Sequence, residues 1–413
     1  MAGVGRKLQL NPVAPENLLD PVPFYKELRE NDPVHWSEVL HGWFLTRHDD
    51  VMNGLRDPRL SADRSQVMAY QFRAMGLSPE SIREVIESFK LQMATKDGVA
   101  HQRLRRQTSP AFSPQVLDTW RPVMRRTLVT LLDKVRNQRQ VDLVPEVFFR
   151  LPTHIIAELL GIPADDREQI LKWGEPITEL TSPGANTNVV EVARRANEGQ
   201  AALNRYLTGL IEERRRAPGE DVISHMLRLE KQGGMTTEEV VANTSLLMAA
   251  GHLTTTDQLG NGLYELLTHR DQLEQLRREP TLLRSAIEEM IRFAPAVPFT
   301  TRIAVDPLEL HGRTIRPGDV VFLGLAAANH DPAVFPDADR FDITRDPHQH
   351  KPMSFGFGAH HCIGAGLARR ELEIAFEELL QRMPELRLDE TQPPRIKSNA
   401  LLFRGFEALH VRW

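Results

Sequence analysis

The chain contains a single cysteine, Cys362, within Phe355-Gly356-Phe357-Gly358-Ala359-His360-His361-Cys362-Ile363-Gly364-Ala365-Gly366-Leu367-Ala368. Glycines crowd it on both sides, and helix-forming residues follow. The reactive and metal-ligating form of cysteine is the thiolate, which the N-terminus of a helix stabilises with its unpaired N–H groups. Glycines let backbone lie close against a flat group. Together these features suggest a loop pressed against a planar cofactor, with the sulfur aimed at it. Other chemistries fail on particulars. A dinucleotide fingerprint starting at Gly356 would need glycine where His361 stands, and a phosphate loop would need a lysine the segment lacks. One cysteine cannot attach a c-type haem, and His360 and His361 beside Cys362 make a poor tetrahedral set for zinc. An inert buried thiol is the ordinary fate of a lone cysteine, but it does not require this many glycines.

Three further groupings have spacing suited to chemistry. His101 and Arg105 stand four apart in His101-Gln102-Arg103-Leu104-Arg105, so on a helix they lie one above the other. Glu289 and Arg292 are three apart, which on a helix makes an ion pair, ordinarily a surface one worth at most ~1 kcal/mol. In Ala249-Ala250-Gly251-His252-Leu253-Thr254-Thr255-Thr256 a glycine and three threonines interrupt good helix formers. A threonine hydroxyl can bond the carbonyl four residues back, so Thr254 is expected to pair with Ala250 and open the helix locally.

The pattern F-G-x-G-x-H-x-C-x-G-x-x-L-A is filled at every fixed position, and with it the chain resembles the cytochrome P450 family along essentially its whole length. The resemblance implies a mainly α fold with small β-sheets enclosing a b-type haem (iron protoporphyrin IX). It implies Cys362 as the iron's thiolate ligand, the role this family gives its cysteine. Phe355, Gly356 and Gly364 would frame the loop against the ring. His101, Arg105, Arg302 and His360 would hold the haem propionates, and Ala250 and Gly251 would border the cofactor. Glu289, Arg292 and Arg340 match the family's structural network behind the cysteine loop. Thr254 falls on the threonine that manages protons for bound oxygen. Val297, Phe299 and Leu253 would border the substrate. The segments from Ser61 to Gly98 and around Glu175–Val192 would cover the pocket, with Met68, Phe72, Met75, Phe89 and Met93 as possible lining.

The resemblance breaks at one position. The family carries an acid immediately before the threonine, and here Leu253 stands there. Leucine cannot relay the protons that splitting the O–O bond consumes. Water with Thr254, aided by a substrate hydroxyl or carboxylate, is the preferred explanation. His252 or Asp257 as a substitute path and peroxide-driven or non-hydroxylating chemistry are the alternatives. The expected activity is a monooxygenase acting on a secondary metabolite: a polyketide, a macrolide or an acid bound to a carrier protein. Its electrons would come from NAD(P)H through a ferredoxin or flavodoxin and its reductase. A haem protein serving only as ligand sensor or carrier-binding module is the rival from another class; the glycine and threonine of the long helix speak against it.

These residues need a scaffold, and the remaining sequence supplies one. The 413 residues carry a net charge of −5 with 41% hydrophobic residues, which suits a globular chain with a sizeable core and gives no sign of a nucleic-acid partner. A lone cysteine excludes an internal disulfide and fits a reducing compartment. With no apolar segment at the start, a cytoplasmic protein without a membrane anchor is expected. Residues 1–15 read as a loose tail and 16–413 as one haem-binding domain. Val34–Ser37 and Trp43–Thr46 form a hairpin pattern, and Thr236-Thr237-Glu238-Glu239 is a capping box opening a helix that runs to about His269. Strands are expected over 298–305, 308–310 and 320–323, and a last helix from near Gly364. Arg103, Arg106, Arg125 and Arg126 lack evident acidic partners and could dock an acidic redox protein.

Overall fold

A computed structural model describes residues 17, 20–65, 72–73, 75–181, 187–228, 233–349, 351–397 and 402–413. The expected tail over residues 1–15 and the candidate lining residue Met68 lie outside these. The helices that position the site are α1 (Val22–Asn31), α2 (Arg83–Leu91), α3 (Gly98–Thr108), α4 (Pro114–Val135), α5 (Arg150–Leu160), α6 (Arg167–Thr181), α7 (Val189–Arg216), α8 (Thr237–Thr268), α9 (Leu283–Phe293) and α10 (Ala365–Arg382). Five strands form the largest sheet: β1 (Val34–Ser37), β2 (Gly42–Leu45), β3 (Leu60–Ser61), β4 (Thr300–Ala304) and β5 (Val320–Leu323). Their order is β1-β2-β5-β4-β3, with only the β2–β5 pair parallel.

Helix α8 is the axle of the fold. Its 32 residues span ~48 Å at 1.5 Å per residue. The expected capping box is present: Thr236 Oγ1 accepts from Glu239 N at 3.2 Å, and Glu239 Oε2 accepts from Thr236 N at 3.0 Å. Along its length α8 packs against α5, α7, α9 and α10, so residues facing in several directions are buried. That is why its sequence lacks a clean polar stripe. Leu247, Leu259, Leu263 and Leu266 join one large core shared with α4, α5 and α10. Glycines permit the closest approaches. A Cβ at Gly251 would come within 2.8 Å of Ile156 Cγ1 on α5, and one at Gly262 within 3.1 Å of Phe376 on α10.

The sheet holds a second core with α1 at its side, built on Phe44, Phe299 and Phe322. The two segments expected to cover the pocket share a third: Phe72, Ile82, Val85 and Ile86 pack with Leu180, Val192 and Ala196.

Candidate active site

The cysteine loop approaches α10 through two residues that require a left-handed backbone, Gly356 at φ 67° and Gly358 at φ 75°. It is closed by Cys362 N donating to the Phe355 carbonyl at 2.9 Å. Arg369 stacks over the Phe355 ring at 4.6 Å and binds Glu288 through both oxygens, fixing the loop to α10 and α9. Cys362 is exposed, yet surrounding protein is dense enough that burial is the first influence on its thiol. The two facts agree if the sulfur faces an interior cleft. Burial pushes the thiol above its ordinary range, opposed by the N–H groups of Gly364 and Ala365 at the start of α10 and by Arg105 and Arg369.

A cluster of arginine and histidine side chains lies at the same cleft, brought by three separate elements. Helix α3 supplies His101 and Arg105, strand β4 supplies Arg302, and the loop supplies His360. The His101 and His360 rings stand 4.0 Å apart. Arg64, which sequence reasoning missed, belongs with them: its Nη1 donates to Thr301 Oγ1 at 2.9 Å and its Nε is buried with no hydrogen-bond partner among the described residues. Among the described residues Arg302 donates only to Thr300 Oγ1 and the Thr301 carbonyl. Burial lowers Arg302 to about 10, with Arg64 adding repulsion, and it lowers Arg64 and Arg105 as well. His360 falls to about 4 through burial, then through repulsion from His101 and Arg302.

Two carboxylates are felt within this cluster: Asp63, which acts on Arg64, and Asp97, just before α3, which acts on His101, Arg302 and His360. Burial would raise Asp97, but the Ser61 hydroxyl, the Ala62 N–H and His360 hold it below the ordinary range. Three arginines outnumber the two carboxylates that act on the cluster, Asp97 and the exposed Asp63, and burial holds both histidines toward the neutral form, so positive charge stays incompletely compensated unless anions join it. A planar group with a metal for the sulfur and two carboxylates for the cations fits this donor set, and haem has that composition.

On α8, Thr254 Oγ1 donates to the Ala250 carbonyl at 2.9 Å, the pairing expected from the sequence. The helix stays continuous across it, so the expected opening is not a break in the helix. Ala249 and Ala250 are exposed in the middle of this central helix, so they too face open space. Leu253 lines a cavity of about 780 Å³ whose walls come from α6, α7 and α8 and which also receives Phe89, His252, Asp257, Lys397 and Phe403.

Several expectations need correction. Phe299 does not border this cavity; it is buried between Phe44 and Phe322 at ring distances of 5.9 and 5.4 Å, because it falls on the core side of the sheet. Val297 packs against the neighbouring core of Leu45 and Leu323. Of the possible lid lining, Phe89 reaches the cavity, Phe72 and Met93 are core, and Met75 is exposed. Gly251 faces Ile156, so the need for glycine there comes from the α5–α8 contact.

The network behind the loop differs in one member. Arg292 Nε and Nη2 bind both oxygens of Glu289 at 2.7 and 2.8 Å. Its Nη1 donates to the Asn329 and Ala338 carbonyls at 2.7 and 2.9 Å, and Nη2 to the Arg340 carbonyl at 3.0 Å. Arg340 thus contributes backbone, and its side chain is exposed. The second guanidinium at Glu289 is that of Arg345, with Nε 3.3 Å from Oε2. The basic patch is also smaller than expected. Arg103 pairs with Glu239, and Arg125 with Glu377 and Glu378. Arg106 and Arg126 are exposed, with no acidic partner among the described residues.

A helical scaffold of this form, with a cysteine loop and a buried cation cluster at one cleft, defines a haem-thiolate enzyme. Residues 80–405 match the family Cytochrome P450, and the chain belongs to it, as a monooxygenase among the oxidoreductases. It is 35% identical to Cytochrome P450 CYP107DY1 of Priestia megaterium over 96% of this chain and 97% of that one. It is 34% identical to Cytochrome P450 monooxygenase PikC of Streptomyces venezuelae, over 98% and 94% of the two chains. The solved structure of P450BioI in complex with hexadec-9Z-enoic acid ligated acyl carrier protein superposes with a TM-score of 0.86 at 32% identity, covering 96% of this chain and 99% of that one. Among the described residues, no helix is long and apolar enough to cross a membrane.

Proposed function

We propose that the chain is a b-type haem monooxygenase that inserts one oxygen atom of dioxygen into a C–H or C=C bond of a polyketide, a macrolide or a carrier-bound acid. The observation that carries this reading is the buried cluster of Arg64, Arg105, Arg302, His101 and His360 at the cleft of Cys362, rich in cations and poor in carboxylates. Haem, when bound, supplies the oxygen activation. Cys362 would hold its iron, helped by the Gly364 and Ala365 N–H groups, which share the sulfur's negative charge. His101, Arg105, Arg302, His360 and Arg64 would hold the propionates through charge-assisted hydrogen bonds. Phe355, Gly356 and Gly364 let the loop lie flat, and Ala250 keeps space beside α8. Thr254 has its hydrogen committed to Ala250, so its oxygen remains free to accept from a water.

The apolar walls of the cavity suit a lipid-like or macrocyclic substrate, and the carrier-protein complex of P450BioI makes a tethered acid one member of the class to try. Electrons would come from NAD(P)H through a ferredoxin or flavodoxin. Exposed Arg106 is the first docking residue to reverse; an Arg106→Glu variant with unchanged reductase KM and salt dependence removes it from that role. Residues 16–413 would act as one haem-binding unit within the cytoplasm. Soret titration of the holoprotein against free macrolides, fatty and aromatic acids and carrier-tethered acids tests the substrate class. A spin-state shift with one class names it, and the absence of any shift across the panel removes all of them. Leu253 favours a second reading, peroxide-driven oxidation, which gains if peroxide alone supports turnover and the ferredoxin system does not.

A further inference from the structure

Helix α8 carries an ionisable group one turn beyond the position where the family's acid is missing. Leu253 and Asp257 are four apart and Thr254 and Asp257 three apart, so the side chains are surface neighbours at roughly 5–6 Å between Cβ atoms. Leu253 and Asp257 line the same cavity. Asp257 is only 1% exposed, and it is engaged on one side alone. Its Oδ1 accepts from Lys397 Nζ at 2.5 Å, while Oδ2 is buried with no hydrogen-bond partner among the described residues. An ion pair made only for stability would leave that oxygen unsatisfied at a cost of about 1–3 kcal/mol; a proton on Oδ2 turns it into a donor instead.

The surroundings keep this carboxyl in place. A Cβ at Gly405 would run into Oδ1, so the chain passing there must be glycine. Lys397 N donates to the Gly405 carbonyl at 3.0 Å, which sets the lysine and the glycine on the same side of the acid. His252, the other titratable group on this stretch of α8, turns Nδ1 to the Met248 carbonyl at 2.8 Å, and burial holds it below the ordinary histidine range. Neutral His252 is therefore a poor proton source near pH 7. Burial pushes Asp257 up to about 6 against the pull of Lys397, so both of its protonation states are reached close to neutrality.

We propose that Asp257 is the proton donor that Leu253 cannot be, passing the proton from Oδ2 along α8 through water held at the Thr254 oxygen to the oxygen undergoing reduction. This rests on the monooxygenase reading above. Each turnover takes one dioxygen, two electrons from NAD(P)H and two protons; one oxygen atom enters the substrate and the other leaves as water. The Oδ2–H bond breaks as the proton departs, and the carboxylate left behind is held by Lys397. A solvent proton arriving through the cavity restores the acid, so Asp257 ends each cycle unchanged. Lys397 is the charged group facing it, and delivery weakens as pH rises through the carboxyl's titration.

The test compares substrate-free holoenzyme, Asp257→Asn, Asp257→Glu and the double variant Asp257→Asn/Leu253→Glu, each driven by NAD(P)H with a plant-type ferredoxin and its reductase. Without substrate, dioxygen leaves as hydrogen peroxide after two electrons and two protons or as two waters after four of each, and a well-placed proton donor favours the second. Peroxide released per NAD(P)H should rise at least twofold in Asp257→Asn, stay near wild type in Asp257→Glu, and fall back in the double variant. A second readout needs no turnover. Infrared spectra of the resting ferric protein should show a protonated carboxyl band that is lost in Asp257→Asn and titrates near pH 6. A peroxide yield in Asp257→Asn equal to that of wild type overturns the proposal, as does a missing band. Wild-type holoenzyme that accepts no electrons from NAD(P)H overturns the monooxygenase reading as well, and a surviving band would then mark a structural acid.

Discussion

Arg292 donates from all three of its guanidinium nitrogens, to Glu289 and to the carbonyls of Asn329, Ala338 and Arg340. Removing a partner from a buried pair of this kind leaves an uncompensated charge, at a cost of about 3–5 kcal/mol. Arg292→Ala is therefore expected to lose that much in chemical unfolding, or to fail to fold. Arg340→Ala should change stability by less than about 0.5 kcal/mol, whereas Arg345→Ala should cost about 1–2 kcal/mol. Equal losses at 340 and 345 would restore the network expected from sequence. The Glu289–Arg292 spacing was legible because a helix fixes which residues three apart can meet. The identity of the second arginine was not, since it depends on how an irregular segment turns. Arg64 was hidden for the same reason: it reaches β4 from a loop distant in sequence.

Helix α8 was the most readable element, because the capping box marks its start and an apolar helical run carries it to about His269, across the glycine and threonines at 251 and 254–256. Which side of it met which neighbour could not be read, as a helix buried on nearly every side has no polar stripe to orient it. Gly251 illustrates the difference. Its place in a recognisable motif pointed to the cofactor, while its missing Cβ is required by Ile156. Gly251→Ala should cost about 1–3 kcal/mol through overpacking, and Ile156→Ala in the same chain should recover part of that loss. Additive losses in the double-mutant cycle would show that the two residues do not press on one another. Four of the five strands of the largest sheet were legible to within a residue or two; β3 was not, and neither was the side each residue takes. Phe299 stands just ahead of β4, and Phe44 on β2 and Phe322 on β5 take it into the core.

Helix α3, strand β4 and the loop holding Arg64 each bring an arginine to one cleft, and their accumulation there is a property of the assembled protein. If the cluster exists to hold two carboxylates, deleting one arginine should remove a charge-assisted contact worth about 1.5–3 kcal/mol, or roughly 10–100-fold in haem affinity. Arg302→Ala is expected to speed haem transfer to apomyoglobin within that range, and Arg64→Ala by a smaller factor because it is the less buried of the two. Unchanged transfer in both variants would detach the cluster from the cofactor. The central claim, that Cys362 binds the haem iron as a thiolate, has a more direct test: the Soret band of the reduced, carbon monoxide-bound holoprotein, for wild type and Cys362→Ser, with circular dichroism as a check on folding. The account predicts the strongly red-shifted band of thiolate ligation in wild type and its loss in the folded Cys362→Ser protein. A wild-type band at the position of histidine-ligated haem, or a red-shifted band that survives the substitution, would contradict it.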